Sequence, residues 1–122
     1  MSNPLQNTYD RGIQGESIAL AFLKLNGYDV LNTRYRTPYG EIDIIATYGR
    51  LLVCVEVKTR HTLGGGIQSL SRRQQERIMN GYLYFIQQHP RYIAYPVRFD
   101  LIVCAPNTKP LHFPHAFEFS NG

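Results

Sequence analysis

The sequence predicts an α/β domain in which helices flank a central mixed β-sheet, in the order α-β-β-β-α-β. Two patterns support this prediction. Apolar residues recur at helical spacing near the start and in the middle of the chain, and segments of alternating or continuous apolar character lie between and after them. With 122 residues, the chain has the usual length of one domain. We expect peripheral tails over about 1–8 and 106–122.

The first helix is expected from about Asp10 to Leu25, because Asn26-Gly27 supplies a common helix C-terminal signal. Residues at steps of three and four lie on one face of such a helix. Here that face consists of Ile13, Glu16, Leu20 and Leu23. The Glu16 carboxylate therefore lies in a stripe that should face the core, unless the helix boundaries differ and Glu16 is an ordinary surface residue.

Three strands should follow the first helix. Their expected ranges are Tyr28–Tyr35, Glu41–Tyr48 and Leu51–Lys58. Thr37-Pro38-Tyr39-Gly40 is typical of a turn between the first two strands. Gly49-Arg50 is typical of a two-residue turn between the second and third, which would form a hairpin.

The second helix is expected near Ser71–Gln88, with a serine as N-cap and Pro90 just beyond its end. Val97–Ala105 should be a fourth strand, and its apolar second half favours a central place in the sheet. Leu111–Phe119 should add at most an edge strand, because Pro114 cannot donate a ladder hydrogen bond.

Composition excludes several classes of protein. No run of about 18 apolar residues is present, which excludes a membrane-spanning helix, and the start lacks the features of a signal peptide, so a cytoplasmic protein is expected. Cys54 and Cys104 lie in apolar segments and are expected to be buried free thiols, and without a CxxC pair a zinc ribbon is excluded. The net charge of +4 permits a polyanionic partner.

The predicted hairpin brings charged residues together. If Gly49-Arg50 is its turn, opposed positions sum to 99, which places Asp43 opposite Glu56 and Glu41 opposite Lys58. Side chains alternate along a strand, so Glu41 and Asp43 should share one face, as should Glu56 and Lys58. Two carboxylates that face each other destabilise a sheet unless a cation joins them or one keeps a proton.

A hard divalent cation meets that requirement. Mg²⁺, with Mn²⁺ as a substitute, binds one or two carboxylates and keeps positions for water and phosphate. Lys58 could then contact the scissile phosphate or the attacking water, which is a workable arrangement for phosphodiester hydrolysis. Spacing alone leaves open that Asp43 and Glu56 are ordinary solvent-exposed side chains.

Two motifs in this hairpin carry a family resemblance. Gly40-Glu41-Ile42-Asp43-Ile44-Ile45-Ala46 followed by Val55-Glu56-Val57-Lys58-Thr59-Arg60 is similar to the YraN-like family of small bacterial proteins. That family is regarded as predicted endonucleases of the restriction-endonuclease-like superfamily, related to archaeal Holliday-junction resolvases. The resemblance extends from Gly15-Glu16 to Arg98-Phe99-Asp100. It implies a restriction-endonuclease-like fold for this single domain.

The resemblance also implies roles for particular residues. Asp43 and Glu56 would be metal ligands, with the Val57 carbonyl as a third ligand to consider, and Lys58 would be the catalytic lysine. Glu16 would reach the same metal site from the first helix, which would explain its core-facing position.

The second helix would add a supporting residue. Gln75 matches a glutamine that related nucleases often carry, although a purely structural role is the alternative. It lies in line with three residues that should face the sheet: Ile78, Tyr82 and Phe85. Gln74 departs from the family, in which a lysine is common at this point, and this weakens the case for a DNA contact there. Arg60, Arg72 and Arg73 are the expected nucleic-acid contacts.

Three further features are interpreted without assigning chemistry to them. His112-Phe113-Pro114-His115 has too few neighbouring ligands for a metal site and is treated as tail. Leu63-Gly64-Gly65-Gly66 lacks the end of a phosphate-binding loop and is expected to be a mobile loop near DNA. Asp100 is expected to orient the sheet and not to bind metal.

These observations favour a Mg²⁺-dependent endonuclease that hydrolyses DNA, with branched or distorted DNA as the expected substrate because no base-reading module is present. Cleavage of branched DNA would need two active sites, so a homodimer is expected, and no membrane partner is. One alternative is a non-catalytic nucleic-acid-binding or scaffold protein that retains the fold. Another is hydrolysis of RNA, which the sequence does not distinguish from DNA.

Overall fold

Five strands and two long helices make up the part of the chain that the computed structural model describes, residues 4–61 and 70–119. In the first helix, side chains are described from Gln14 onward. The elements are α1 (Pro4–Leu25), β1 (Asp29–Thr37), β2 (Gly40–Tyr48), β3 (Leu51–Thr59), α2 (Arg72–Gln88), β4 (Val97–Cys104) and β5 (Leu111–Phe117), with a single-turn 3-10 helix at Pro90–Tyr92. The expected loop Leu63-Gly64-Gly65-Gly66 lies outside the described residues.

The strands form one sheet in the order β1-β2-β3-β4-β5. Neighbouring strands are antiparallel except β3 and β4, which are parallel. A parallel pair requires a crossover connection, and α2 lies in that connection. The predicted mixed sheet flanked by helices is confirmed. The expected edge strand is also confirmed: it is β5, whose Pro114 needs no inner ladder partner.

The two helices cover opposite faces of the sheet. Ala19 and Leu23 of α1 belong to a buried cluster with Ile44, Val53 and Val55. A second buried cluster joins α2 to the other face through Ile78, Phe85, Ile45, Cys54 and Phe99. Residues that alternate along β3 contribute to opposite clusters, as expected for a strand buried on both faces. This arrangement places β3, with its acidic and basic residues, in the middle of the molecule.

The start of the first helix differs from the predicted one for an identifiable reason. Helix α1 begins at Pro4 and not near Asp10, and proline is favoured at the first position of a helix because its missing N–H has no intrahelical partner there. Ser71 caps α2 as predicted: its side chain accepts from Gln74 N–H while the Gln74 side chain accepts from Ser71 N–H.

Two expectations drawn from composition can be compared with the described residues. Cys54 and Cys104 are free and buried, as predicted, and burial raises the pKa of both thiols. Neither of the described helices is long and apolar enough to cross a membrane.

Candidate active site

The hairpin of β2 and β3 has the predicted register over the pairs it forms. Tyr48 lies opposite Leu51 and Ile44 opposite Val55, so opposed positions sum to 99. Backbone pairing ends there, one position before Asp43 would face Glu56. Instead, the Asp43 carboxylate extends across the gap and its Oδ2 accepts the N–H of Val57 at 2.8 Å. Asp43 thus joins β3 through its side chain.

Strict alternation along β2 ends at Asp43. Ile45 and Ile42 both belong to the cluster under α2, whereas Ile44 belongs to the cluster under α1. Residues three apart would lie on opposite faces of a regular strand. Gly81 permits the change, since a β-carbon there would lie only 3.1 Å from Cδ1 of Ile42. The regular alternation that would place Glu41 and Asp43 on one face therefore does not extend through this segment.

Glu56 is the buried centre of the site. It is 6% exposed, with Oε1 at 3.6 Å from Lys58 Nζ and 3.9 Å from Arg77 Nη2. Its Oε2 is buried and has no hydrogen-bond partner among the described residues. Burial and the nearby Asp43 charge raise the pKa of Glu56 to about 7. The carboxylate is thus held without full compensation.

Asp43 shares this condition. Burial raises the pKa of Asp43, and the N–H of Val57, which favours the charged form, only opposes that rise. The charge of Glu16 raises the pKa of Asp43 further, while Lys58 and Arg77 lower it. Two carboxylates therefore lie close together in a partly apolar setting, which is the arrangement that the hairpin spacing predicted.

Lys58 pairs differently from the prediction. The predicted opposition of Glu41 and Lys58 is wrong, because the described backbone pairing of β2 with β3 ends at Ile44 and Val55, three positions before Glu41, which is paired with Arg36 of β1. Glu41 Oε1 is 3.4 Å from Arg36 Nε, in an exposed ion pair. Lys58 is left with Glu56 on its own strand, two residues away on the same face.

Arg77 is the site residue that the sequence argument missed. It comes from α2 and its aliphatic stem crosses the start of β2, where a β-carbon on Gly40 would lie 2.5 Å from Arg77 Cδ. Gly40 also has φ +128°, which a residue with a side chain rarely adopts. The signal was present in the first motif, since a glycine beside the acidic residues permits such a close approach.

Glu16 reaches the neighbourhood of Asp43 but does not join its carboxylate cluster. The Arg34 guanidinium donates to Glu16 through Nε at 3.0 Å and Nη2 at 2.5 Å. Among the residues that the structure describes, no group of three or more His, Cys, Asp or Glu side chains is placed to hold a metal ion. The structure thus brings Asp43, Glu56 and Lys58 together, and it places Glu16 beside them in an ion pair.

Gln75 faces the sheet with Ile78 and Phe85, which are buried. Its Nε2 donates to the Leu70 carbonyl at 3.2 Å. This contact holds the segment before α2 against the helix, so its observed contact is a structural one.

The three predicted nucleic-acid contacts are all exposed. Arg60 donates to the Thr59 carbonyl, and Arg72 lies 3.5 Å from Glu76 in a surface ion pair. Arg73 lies at the N-terminal end of α2, where it lines a cleft together with Arg77. Arg73 is therefore the one of these three that lines the same cleft as Arg77.

A second buried carboxylate lies on β4, on the face covered by α1. Asp100 is 0% exposed. Arg98 donates to it through Nε and Nη2 at 2.8 and 2.7 Å. His112 Nε2 lies 2.7 Å from Oδ2, and the His115 backbone N–H donates to Oδ1. The histidine motif is thus part of the edge strand β5 and fastens it to β4.

Comparison with known proteins agrees with the predicted resemblance. The family described as "Uncharacterised protein family UPF0102" matches residues 15–104. A UPF0102 protein of Nitrobacter winogradskyi is 40% identical over 112 residues, which cover 92% of this chain and 95% of that protein. A UPF0102 protein of Rhodopseudomonas palustris strain BisB5 is 41% identical, over 92% of this chain and 86% of that protein.

The fold is similar to that of a solved resolvase structure. It is that of Hjc, a Holliday junction resolvase from Archaeoglobus fulgidus, with a TM-score of 0.53 and 22% sequence identity. The match covers 81% of this chain and 72% of Hjc. The predicted nuclease-type fold is thereby confirmed as a fold.

Proposed function

This chain belongs to the UPF0102 (YraN-like) family, and from that premise we propose that it is a metal-dependent endonuclease that hydrolyses DNA phosphodiester bonds. The observation that supports this best is the acidic pair of Asp43 and Glu56. Both carboxyl groups have a raised pKa, and Glu56 Oε2 is buried without a partner among the described residues. A folded protein tolerates this cost where the site serves a function.

The residues present fit a divalent cation. Mg²⁺ commonly binds one or two carboxylates and keeps its remaining positions for water and phosphate, and Mn²⁺ suits the same oxygen ligands. Asp43 and Glu56 would hold the ion, and its charge would favour the ionised form of both. When bound, the metal would supply Lewis acidity at the phosphate and a lowered pKa for a water molecule.

Two cations of the chain complete the proposed mechanism. Lys58 lies within 3.6 Å of Glu56 Oε1 and is mostly buried, so its ammonium group has a restricted position. It would stabilise the negative charge that develops on the phosphate during attack. Arg77, at 3.9 Å from the same oxygen, would hold a second phosphate oxygen and orient the group.

DNA is the proposed substrate because the chain is basic and carries Arg77 beside the acidic pair. Branched or distorted DNA is proposed because the named resolvase shares the fold. Such a substrate requires two cuts, so the proposal includes a homodimer, in the cytoplasm where DNA is accessible. Glu16 places a negative charge near Asp43. Gln75 supports α2 by holding the segment before it against the helix.

The test is cleavage of plasmid, linear and four-way-junction DNA with Mg²⁺ or Mn²⁺. We expect nicking by the wild-type protein and a loss of at least about a hundredfold in Glu56→Gln and Lys58→Ala. The matched controls are Glu118→Gln and Lys24→Ala, which change exposed residues of the same types. Equal activity in all five proteins would indicate a contaminating nuclease and would refute the assigned site.

Absence of cleavage with every substrate would favour the second candidate, a nucleic-acid-binding protein without catalysis. DNA binding that persists in that case, with unchanged affinity in Lys58→Ala, would establish that function. Cleavage of RNA but not DNA would replace the substrate and leave the site intact.

A further inference from the structure

A cleft lies between the β1–β2 turn and the start of α2. Its volume is about 550 Å³, within the range of pockets that bind small organic ligands. The lining residues are Tyr39, Ser71, Arg73, Gln74 and Arg77. The cleft is thus large enough for a ligand of nucleotide size and is lined by one aromatic ring and several hydrogen-bonding groups.

The charge of this cleft favours an anion. Its described lining includes two arginines and no carboxylate. The first turn of α2 also lacks an acidic residue and begins with Arg72 and Arg73, although the N-terminal end of a helix carries partial positive charge. Glu76 compensates Arg72 in an ion pair, and a bound anion would similarly compensate Arg73 at this end of the helix. Arginine pairs well with phosphate because its guanidinium binds two oxygens.

Tyr39 gives the cleft an aromatic surface. Its residue is 53% exposed, at the tip of the turn Thr37–Gly40. The turn is held by Thr37, whose hydroxyl donates to the Gly40 carbonyl at 2.8 Å and accepts from the Tyr39 N–H at 3.0 Å. The backbone that carries the ring is therefore fixed. An exposed aromatic ring beside cationic groups is a common way to bind single-stranded nucleic acid, because any base can stack on it.

Arg77 connects the cleft to the acidic pair. It lines the cleft, and its Nη2 lies 3.9 Å from Glu56 Oε1. Its Nε is buried and has no hydrogen-bond partner among the described residues. A phosphate that Arg77 binds in the cleft would therefore lie close to Glu56 and to the proposed site of cleavage.

We propose that this cleft binds an unpaired nucleotide of the substrate strand, next to the phosphate that is cut. Tyr39 stacks on the base, and Arg73 and Arg77 bind the flanking phosphates. A paired base cannot be bound in this way because its neighbours cover both faces until it is unstacked. The substrate class is thus DNA with an unpaired nucleotide at a branch, flap or end, an inference that rests on the proposed function.

Binding without divalent metal tests this proposal separately from catalysis. The ligands are a blunt DNA duplex and the same duplex with a short unpaired extension, measured by fluorescence anisotropy in EDTA at fixed salt. We expect the wild-type protein to bind the extended duplex about tenfold more tightly, from one stacked base. Repulsion between the acidic pair and DNA acts on both ligands. The ratio of the two affinities therefore measures the contribution of the unpaired extension.

The variants assign that ratio to the cleft. Tyr39→Ala should remove the preference and leave blunt-duplex affinity unchanged, whereas Tyr39→Phe keeps the ring and should retain it. Tyr48→Ala is the matched control, since Tyr48 is also a half-exposed tyrosine at a hairpin turn but lies at the other end of β2. A 2-aminopurine in the extension should be quenched on binding to the wild-type protein and not to Tyr39→Ala.

Equal affinity for the two ligands, or an equal effect of Tyr39→Ala and Tyr48→Ala, would overturn the proposal. Tighter binding of an RNA extension than of the DNA extension would overturn the assignment to DNA. The binding test distinguishes failure of the cleft from failure of the proposed function. An intact preference without cleavage would reject only the nuclease, and cleavage without the preference would reject only the cleft.

Discussion

Two buried carboxylates on neighbouring strands of this sheet have opposite surroundings. Asp100 on β4 accepts hydrogen bonds at both oxygens, from Arg98, His112 and the backbone of His115. Glu56 on β3 has one oxygen without a partner among the described residues, and it faces another carboxylate. Burial acts to raise the pKa of both. Only the hydrogen bonds to Asp100 reverse that effect, and its pKa is lowered.

This difference separates a structural acid from a candidate functional one. Asp100 stabilises the fold in its charged form, since hydrogen-bonded charge at a buried position is compensated. Glu56 in its charged form destabilises the fold until a cation arrives. The two residues have nearly the same exposure, so burial alone would not distinguish them. The partners of the oxygens do.

The largest predicted effect is that of Asp100→Asn. This change leaves the Arg98 guanidinium without its ionic partner and weakens the bond to His112, and loss of one member of a buried pair typically costs about 3 kcal/mol or more. Urea denaturation at pH 7 should show that loss as a lower midpoint with an unchanged slope. A loss below about 1 kcal/mol would mean that Asp100 does not hold β5 to β4.

The second prediction concerns pH. Ionisation of Glu56 should destabilise the folded state, whereas ionised Asp100 stabilises it. The folded pKa of Glu56 is about 7, above its ordinary value of 4.5, so the folded state binds the proton more tightly than the unfolded state. Without divalent metal, protonated Glu56 favours the folded state below pH 4.5. This contribution to the free energy of unfolding is lost as the pH rises to 7. The free energy of unfolding should fall by about 2–3 kcal/mol in total. This is less than the full pKa difference would give, because the site can partly relax.

Glu56→Gln provides the control for this pH dependence. The variant should be more stable than the wild-type protein at pH 8 in EDTA, and its free energy of unfolding should be nearly constant between pH 5 and 7. A wild-type curve that is also flat in that interval would contradict a raised pKa for Glu56. Below pH 4, protonation of Asp100 should destabilise both proteins, because its folded pKa is lowered.

The third prediction is stabilisation by Mg²⁺. A ligand that binds only the folded state stabilises it by about 1.4 kcal/mol at a tenfold excess over Kd. Thermal unfolding should therefore shift upward with Mg²⁺ in the wild-type protein and in Glu118→Gln. The shift should disappear in Asp43→Asn and Glu56→Gln. A shift that persists in those two variants would locate the metal elsewhere.

The fold was largely predictable because it depends on local patterns. The Gly49-Arg50 turn and the Ser71 cap each act within a few residues, and both were predicted correctly from the sequence. The start of α1 was misplaced, since Asp10 carries no cap that excludes an earlier beginning. A proline at position 4 was the better signal.

The site was less predictable because it depends on contacts between distant elements. The hairpin register brought Asp43 and Glu56 together, but it assumed regular alternation through Ile42, which the Gly81 contact breaks. Arg77 reaches the pair across Gly40, a contact between residues 37 positions apart in the sequence that spacing along a strand does not reveal.

Glu16 gives the smallest predicted effect and the sharpest test of the proposed ligand set. Its surroundings are intermediate between those of Asp100 and Glu56, because it has a charged partner in Arg34 and is partly exposed. Glu16→Gln should cost only about 0.5 kcal/mol, as for a surface ion pair. It should also lower the pKa of Asp43, because the charge of Glu16 raises it. An NMR titration of the Asp43 carboxyl group without metal would measure that change. If Glu16 acts only through its charge, Mg²⁺ should still stabilise the variant, with an affinity reduced severalfold. If Glu16 is instead a direct ligand, as the family resemblance implied, the Mg²⁺ shift should disappear as it does in Asp43→Asn.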